Sequence, residues 1–155
     1  MEKLKQFGGG YLWDDLSIGF RFRTKARTIA EADLVNFVNL TWMTEALFTD
    51  MASEEGRAIK GRLVPGALVY AFAEGLVMPS IEGAGLAFLN AEIDIAGPSF
   101  VGDTIHVVVE VAELRPASKG ERGLARTRNE VVNQKGEIVL TYNPLRLLRR
   151  RSRKG

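Results

Sequence analysis

The sequence contains no cysteine, which excludes disulfide bonds, thiolate metal sites, iron–sulfur clusters and a cysteine nucleophile. It contains one histidine, His106, so a site of several histidines is excluded and no metal site is predicted. No apolar run approaches the length of about 18 residues that predicts a membrane-spanning helix. The first ten residues also lack the apolar segment of a secretory signal. We therefore expect a cytoplasmic protein that is not inserted in a membrane.

The basic character of the sequence is concentrated at its C-terminal end. The net charge is +2, and five positive charges fall within residues 149–155, so removing them takes the charge of the body to −3. A mildly acidic body does not indicate a nucleic-acid surface spread over the fold. Residues 148–155 are predicted to form a basic, disordered tail; binding to the phosphates of a ligand, to anionic lipid or to nucleic acid is the alternative.

The first half of the sequence predicts one strand followed by a small helical region. Apolar and basic residues alternate along Phe20–Thr28, which is typical of a half-buried strand. Thr28 and Glu31 have the spacing of a capping box, and the apolar residues that follow predict a helix over Ile29–Leu40. Residues 41–62 show no clear period and are interpreted as short helical turns and loops.

A nearly uniformly apolar segment predicts a buried helix. Ten of the twelve residues in Ala67–Met78 are apolar, Pro65 suits the first turn, and Pro79 ends the segment. Twelve helical residues extend about 18 Å, which is too short to cross a bilayer. The segment is therefore predicted to be the central helix of a core.

The second half predicts four antiparallel strands, at Leu89–Ile95, Thr104–Val111, Leu124–Val132 and Glu137–Leu147, the last two joined by a hairpin turn. The order of elements indicates an α+β hotdog fold, in which a curled antiparallel sheet of about five strands wraps around one buried helix. We expect a single such domain over residues 11–147.

Four segments in this order resemble those of the MaoC-like hydratases and dehydratases, which are hotdog proteins that act on acyl-CoA thioesters: Asp14–Gly19, Arg27–Leu34, Gly61–Leu68 and Phe100–Ile105. The resemblance covers nearly the whole predicted domain. It implies an acyl-CoA as ligand or substrate, no further cofactor, and a homodimer or higher homo-oligomer. No nucleic-acid or membrane partner is expected.

The segment that carries catalysis in the family departs from the family pattern. The family places an aspartate, an asparagine and a histidine after the first helix, where this sequence has Met43, Glu45 and Phe48. Methionine and phenylalanine cannot exchange protons, whereas hydration of an enoyl thioester needs positioned acid–base groups. The family pattern therefore provides no catalytic residue. If the protein is active, Glu45, Asp50 and Glu74 are the candidate acids.

The resemblance also suggests a binding site at the start of the central helix. Gly66 retains a backbone N–H at the helix N-terminus, which related proteins use to hold the thioester carbonyl. Pro65 occupies the position where the family often has a histidine, and a simple helix-entry turn is the alternative reading of this pair. Trp42, Met43 and Phe48 are candidates for the wall of an acyl pocket, or for additional core.

Three functional hypotheses remain. The first is an acyl-CoA binding protein without the family's hydration chemistry. The second is an active (R)-type enoyl-CoA hydratase, 3-hydroxyacyl dehydratase or acyl-CoA thioesterase that uses relocated carboxylates. The structural alternative for Asp50 is a helix cap, and the structural alternative for Glu74 is an ion pair with an arginine. The third is a structural subunit of a hotdog dimer.

Overall fold

The computed structural model describes residue 4 and residues 8–152. Its α-helices are α1 (Glu31–Thr41), α2 (Ala46–Thr49), α3 (Glu54–Ala58) and α4 (Gly66–Val77). Its strands are β1 (Arg21–Arg23), β2 (Arg27–Thr28), β3 (Gly85–Asn90), β4 (Ile93–Ile95), β5 (Thr104–Pro116), β6 (Arg122–Val132), β7 (Ile138–Tyr142) and β8 (Leu145–Arg149). Residues 153–155, which belong to the predicted basic tail, lie outside the described residues.

The strands form one antiparallel sheet with the main order β1-β5-β6-β7-β4. β2 pairs with β5, and β3 pairs with β8, which in turn pairs with β6. β1 and β2, β3 and β4, and β7 and β8 are consecutive pieces of three bent segments, so the eight strands correspond to the five predicted ones. The predicted α+β hotdog arrangement is therefore confirmed.

The central helix α4 packs against the concave face of the sheet. Alternate residues of β5 are buried against it, and the shared core consists of Leu68, Val69, Ala73, Leu76 and Val77 of α4 with Ile105, Val107, Val109, Val131 and Leu140 of the sheet. Full burial of each large aliphatic side chain contributes about 1.5–3 kcal/mol. The opposite face of α4, formed by Ala67, Ala71 and Gly75, is exposed.

Several predicted boundaries differ from the structure; for example, the strand predicted to begin at Leu89 begins at Gly85, and the one predicted to end at Val111 continues to Pro116. The segment predicted as one strand over Glu137–Leu147 is divided after Tyr142 into β7 and β8, as proline has no N–H to continue the ladder through Pro144. Helix α1 begins two residues later than predicted, because the Ala30 N–H donates to Asp33 Oδ2 at 2.8 Å. Thr28, the predicted cap, lies in β2 instead.

The tail predicted to be disordered over residues 148–155 is ordered in its first part. β8 continues through Arg149, and the Arg151 N–H donates to Asp14 Oδ2 at 2.6 Å. The Arg150 guanidinium donates to Asp14 Oδ1 at 3.0 Å. The prediction is wrong for these residues because acidic groups near the start of the domain hold them to the body.

Asp14 provides a test of this attachment. The pKa of Asp14 lies below its ordinary value of 3.8. The main cause is the hydrogen bond from the Arg151 N–H, which stabilises the carboxylate, and the Arg150 guanidinium stabilises it further. A carboxyl group whose pKa falls on folding adds stability above its unfolded pKa and loses that stability as the pH falls through the folded pKa.

We expect Asp14→Asn to unfold at a lower urea concentration than the wild type at pH 7, with the difference shrinking as the pH falls below the ordinary pKa of 3.8. The control is Asp94→Asn, because the Asp94 carboxylate makes no hydrogen bond or ion pair with any described residue. A difference between Asp14→Asn and the wild type that is the same at pH 7 and at pH 3 would contradict the attachment.

Candidate functional site

A cavity of about 240 Å³ lies beside the N-terminus of α4. Its wall comes from the loop around α2, the first turns of α4, the end of β4, the loop after β4 and the start of β7. The lining residues are Phe48, Leu63, Val64, Gly66, Val69, Ile95, Gly97, Pro98, Ser99, Val139 and Leu140. No titratable side chain is among these residues, so within the described part of the chain the cavity is apolar and carries no acid or base.

Gly66 brings a free backbone donor to this cavity. It is the first residue of α4, and the Pro65 carbonyl before it accepts from the Leu68 and Val69 N–H groups. The Gly66 N–H makes no hydrogen bond to a described residue, as is usual for the first turn of a helix. A Cβ atom at Gly66 would lie 2.5 Å from Ile95 Cδ1, so any other residue here would displace the end of the Ile95 side chain.

The segment before α4 is held against the loop after β4 by a short antiparallel ladder. The Val64 N–H donates to the Ser99 carbonyl at 3.0 Å, and Leu63 and Phe100 form an isolated bridge. The Val101 N–H donates to the Arg62 carbonyl at 2.9 Å. This ladder fixes the entry of α4 relative to the cavity wall.

Phe48 lines the cavity and packs against the core. Arg62 holds it in place, because Arg62 Nη1 donates to the Phe48 carbonyl at 2.6 Å and Arg62 Nε donates to Glu31 at 3.0 Å.

The other aromatic candidate lies elsewhere. Trp42 ends α1 with a φ of 61° and is 84% exposed, so the prediction that it belongs to a pocket wall or to the core is wrong for the single chain. Met43 is half-buried but does not line the cavity. Pro65 is the N-cap residue of α4 and is buried, but it does not line the cavity.

The two acids of the α2 region are exposed and do not reach the cavity. Glu45 precedes α2, and its carbonyl accepts from Phe48 and Thr49. Asp50 follows α2, and its Oδ1 accepts from the Ala52 N–H at 2.9 Å. These contacts organise the turn between α2 and α3, but the capping role that was the alternative for Asp50 is wrong, because the side chain of Ser53 caps α3 by accepting from the Gly56 N–H.

Glu74, the third candidate acid, is engaged in a buried polar cluster. Tyr142 donates its hydroxyl hydrogen to Glu74 Oε1 at 2.8 Å, and Arg146 forms an ion pair with the same oxygen. Burial, and then the nearby Glu74 carboxylate, raise the pKa of Tyr142, so its hydroxyl remains a donor. Eight residues separate Glu74 from Gly66, which is about 12 Å along a helix. The structure thus brings Phe48 and Gly66 together and leaves Glu74 at the other end of α4.

Sequence reasoning missed Arg62, Tyr142 and Ser99. Arg62 stands within a segment quoted for the family resemblance, but its role depends on contacts with α1 and α2 that no local pattern indicates. Tyr142 lies on the buried side of β7, and its contact with Glu74 could have been predicted, because a buried carboxylate needs a hydrogen-bond donor. Ser99 follows the Gly97-Pro98 turn and has no sequence signal of its own.

The features of a metal centre or a membrane span do not occur elsewhere among the described residues. Residues 8–152 contain no group of three histidine, aspartate or glutamate side chains placed to hold a metal ion. Burial, and then the neighbouring Arg23, lower the pKa of His106, which lies on β5 away from the cavity. No helix among the described residues has the length and apolar character needed to cross a bilayer.

Comparisons with known proteins agree with the hotdog fold and indicate the family. A family model described as "FAS1-like, dehydratase domain region" matches residues 17–142. The (R)-specific enoyl-CoA hydratase of Rhodospirillum rubrum is 27% identical over 94 residues, which are 61% of this chain and 65% of that enzyme. The (R)-specific enoyl-CoA hydratase of Aeromonas caviae is 26% identical over 126 residues, which are 81% of this chain and 90% of that enzyme. A Mycobacterium tuberculosis protein with a double hotdog fold superposes with a TM-score of 0.83 at 23% identity, covering 97% of this chain and 48% of that one.

The fold and the family match define a hotdog protein of the hydratase and dehydratase class, as the MaoC-like segments implied. The chain belongs to the FAS1-like dehydratase domain family. If it is an enzyme, hydration or dehydration of an acyl thioester is the chemistry consistent with its relatives.

The ion pair between Glu74 and Arg146 is tested by removing one or both of its charges. We expect Glu74→Ala to lower the free energy of unfolding by about 3 kcal/mol, because it leaves the buried Arg146 charge without its partner. The double variant Glu74→Leu/Arg146→Met, which removes both charges, is expected to be closer to the wild type. Urea unfolding at pH 7 measures both. A loss below about 0.5 kcal/mol in Glu74→Ala would contradict a structural role for the pair.

Proposed function

We propose that this protein binds an acyl-CoA thioester with its acyl chain in the cavity and its carbonyl oxygen at the Gly66 N–H, without the hydration chemistry of its relatives. The observation that carries the proposal is the cavity itself, an apolar hollow that ends at an unpaired helix N-terminal donor and contains no titratable group among its described lining residues. An apolar pocket with a small number of polar groups is typical of a small-molecule site.

The binding mode follows from the ends of the cavity. The N–H at the start of a helix carries partial positive charge, which suits a carbonyl oxygen of the ligand. A volume of 240 Å³ corresponds to about eight water molecules, so the cavity suits a short acyl chain rather than a long one. The polar coenzyme portion would remain outside the apolar hollow.

Hydration is disfavoured by the positions of the acids. A general acid or base must lie within hydrogen-bond reach of the proton it transfers. Glu45 and Asp50 are exposed and do not line the cavity, and Glu74 is paired with Arg146 and Tyr142. Loss of one positioned acid or base lowers a rate by about 10²- to 10⁴-fold, and Met43 and Phe48 replace two such groups of the family pattern.

Binding is tested with butyryl-CoA in a thermal melt. We expect a rise in the wild-type midpoint that increases with ligand concentration, because a ligand of the folded state stabilises that state. Gly97→Leu should abolish the rise, since Gly97 lines the cavity and has open space at its Cβ position. The control is Gly75→Leu, because Gly75 has the same open space on the exposed face of α4. An unchanged midpoint in the wild type across acyl chain lengths would remove the proposal.

Loss of hydration is tested separately with crotonyl-CoA, whose conjugated absorbance disappears on addition of water. We expect no enzymatic decrease in the wild type. A decrease that is abolished in Glu45→Ala or Asp50→Ala would show that relocated carboxylates perform the reaction, and the protein would then be an active hydratase.

We also propose that a second copy of the chain packs on the outer strand segment formed by β3 and β4. β4 is the last strand of the main sheet order, and an open edge of this kind favours pairing with another chain. The segment exposes five large apolar side chains, Leu86, Phe88, Leu89, Ile93 and Ile95. Ile95 also lines the cavity, so pairing here would complete its outer wall. The double hotdog relative, of which this chain covers 48%, supports an arrangement of two such units.

Light scattering tests this pairing. We expect a dimer for the wild type and a shift toward monomer for Leu89→Lys, because a charge on this segment opposes burial of the apolar strip. Leu40→Lys is the matched control, since Leu40 is 83% exposed on α1, outside the strip. A wild-type monomer at micromolar concentration would contradict the dimer.

The absence of cysteine also suits the cytoplasmic location that we expect.

A further inference from the structure

One polar side chain stands among the apolar residues of the cavity wall. Ser99 lines the cavity and is 4% exposed. Its hydroxyl makes no hydrogen bond to any described residue, although its backbone carbonyl accepts from the Val64 N–H. The hydroxyl oxygen is not among the fully enclosed side-chain atoms that lack a partner, so it keeps some accessible surface, and Ser99 lines the cavity. The folded chain alone therefore gives this hydroxyl no stabilising role.

The position of Ser99 is fixed relative to the helix entry. The Val64–Ser99 hydrogen bond of 3.0 Å and the neighbouring Leu63–Phe100 bridge hold the loop after β4 against the residues that lead into α4. Gly66 follows two residues after Val64. Ser99 and Gly66 therefore line one cavity from two segments that are tied together, and neither the Ser99 hydroxyl nor the Gly66 N–H has a partner among the described residues.

We infer that Ser99 is a ligand-positioning residue, whose hydroxyl donates to the carbonyl oxygen of the bound thioester beside the Gly66 N–H. This inference rests on the proposed function and adds the second donor of the carbonyl site. A carbonyl oxygen has two lone pairs and accepts two donors at once, so the two groups do not compete. The described lining residues include no base that would activate the hydroxyl, so Ser99 holds the ligand and does not attack it.

Two ligands that differ only in the thioester carbonyl group distinguish a hydrogen bond to that carbonyl from packing against the acyl chain. Butyryl-CoA has the thioester carbonyl, and S-butyl-CoA, a thioether of the same chain length, lacks it. Isothermal titration calorimetry measures the affinity of both for the wild type, for Ser99→Ala and for Val139→Ala. Val139 is the matched control because it lines the same cavity with an apolar side chain.

We expect Ser99→Ala to bind butyryl-CoA about three- to tenfold more weakly, which corresponds to one hydrogen bond, and to bind S-butyl-CoA as the wild type does. Val139→Ala should weaken both ligands by a similar factor. The melting midpoint of unliganded Ser99→Ala should equal or exceed that of the wild type, because the lost hydroxyl has no partner.

Three results would overturn the inference, and they differ from a failure of the proposed function. Unchanged butyryl-CoA affinity in Ser99→Ala would show that the hydroxyl does not contact the ligand. Equal weakening for both ligands would assign Ser99 to packing, and a lower midpoint of the unliganded variant would assign it to the fold. If the wild type binds neither ligand, the proposed function itself fails, and the inference fails with it.

Discussion

The burial of α4 against the concave face of the sheet is the constraint on which the rest of the structure depends. The helix has only one charged side chain, Glu74, and one side of it supplies five buried apolar residues to the core. Such a helix is stable only when a curved sheet covers it, and the sheet in turn needs the helix to bury its alternate residues. The position of the helix termini is therefore set by the packing of the whole domain, not by local contacts alone.

The two ends of this helix have opposite polar environments. At its N-terminal end the Gly66 N–H meets an apolar cavity and finds no acceptor in the described chain. Toward its C-terminal end Glu74 is satisfied by Arg146 and Tyr142, so its charge is compensated by the sheet. The same cluster region holds Asn129, whose Oδ1 accepts from Thr127 while its buried Nδ2 has no partner. The fold thus uses its buried carboxylate for cohesion and leaves its donor end available for a ligand.

Sequence patterns predicted the parts of this structure that depend on local periodicity. The apolar content of Ala67–Met78 predicted α4 to within one residue at each end, and strict alternation predicted the core face of β5. The site was less accessible, because its side chains are placed by long-range contacts. Phe48 reaches the cavity because Arg62 binds its carbonyl, whereas Trp42, six residues earlier, turns outward where α1 ends with a positive φ. The start of the predicted tail was misplaced for the same reason, since Asp14 lies far from it in sequence.

The cavity and the core share residues, since Val64, Val69, Val139 and Leu140 belong to both. Phe48 lies outside α4 and β5 but packs against the core that those elements share, so the shape of the cavity is coupled to the packing of the domain. The Gly66 donor belongs to the backbone, so among substitutions at this position only proline would remove it. A Cβ atom built at residue 66 would lie 2.5 Å from Ile95 Cδ1, so glycine lets the entry of α4 and the Ile95 side chain share this wall of the cavity without displacement of either.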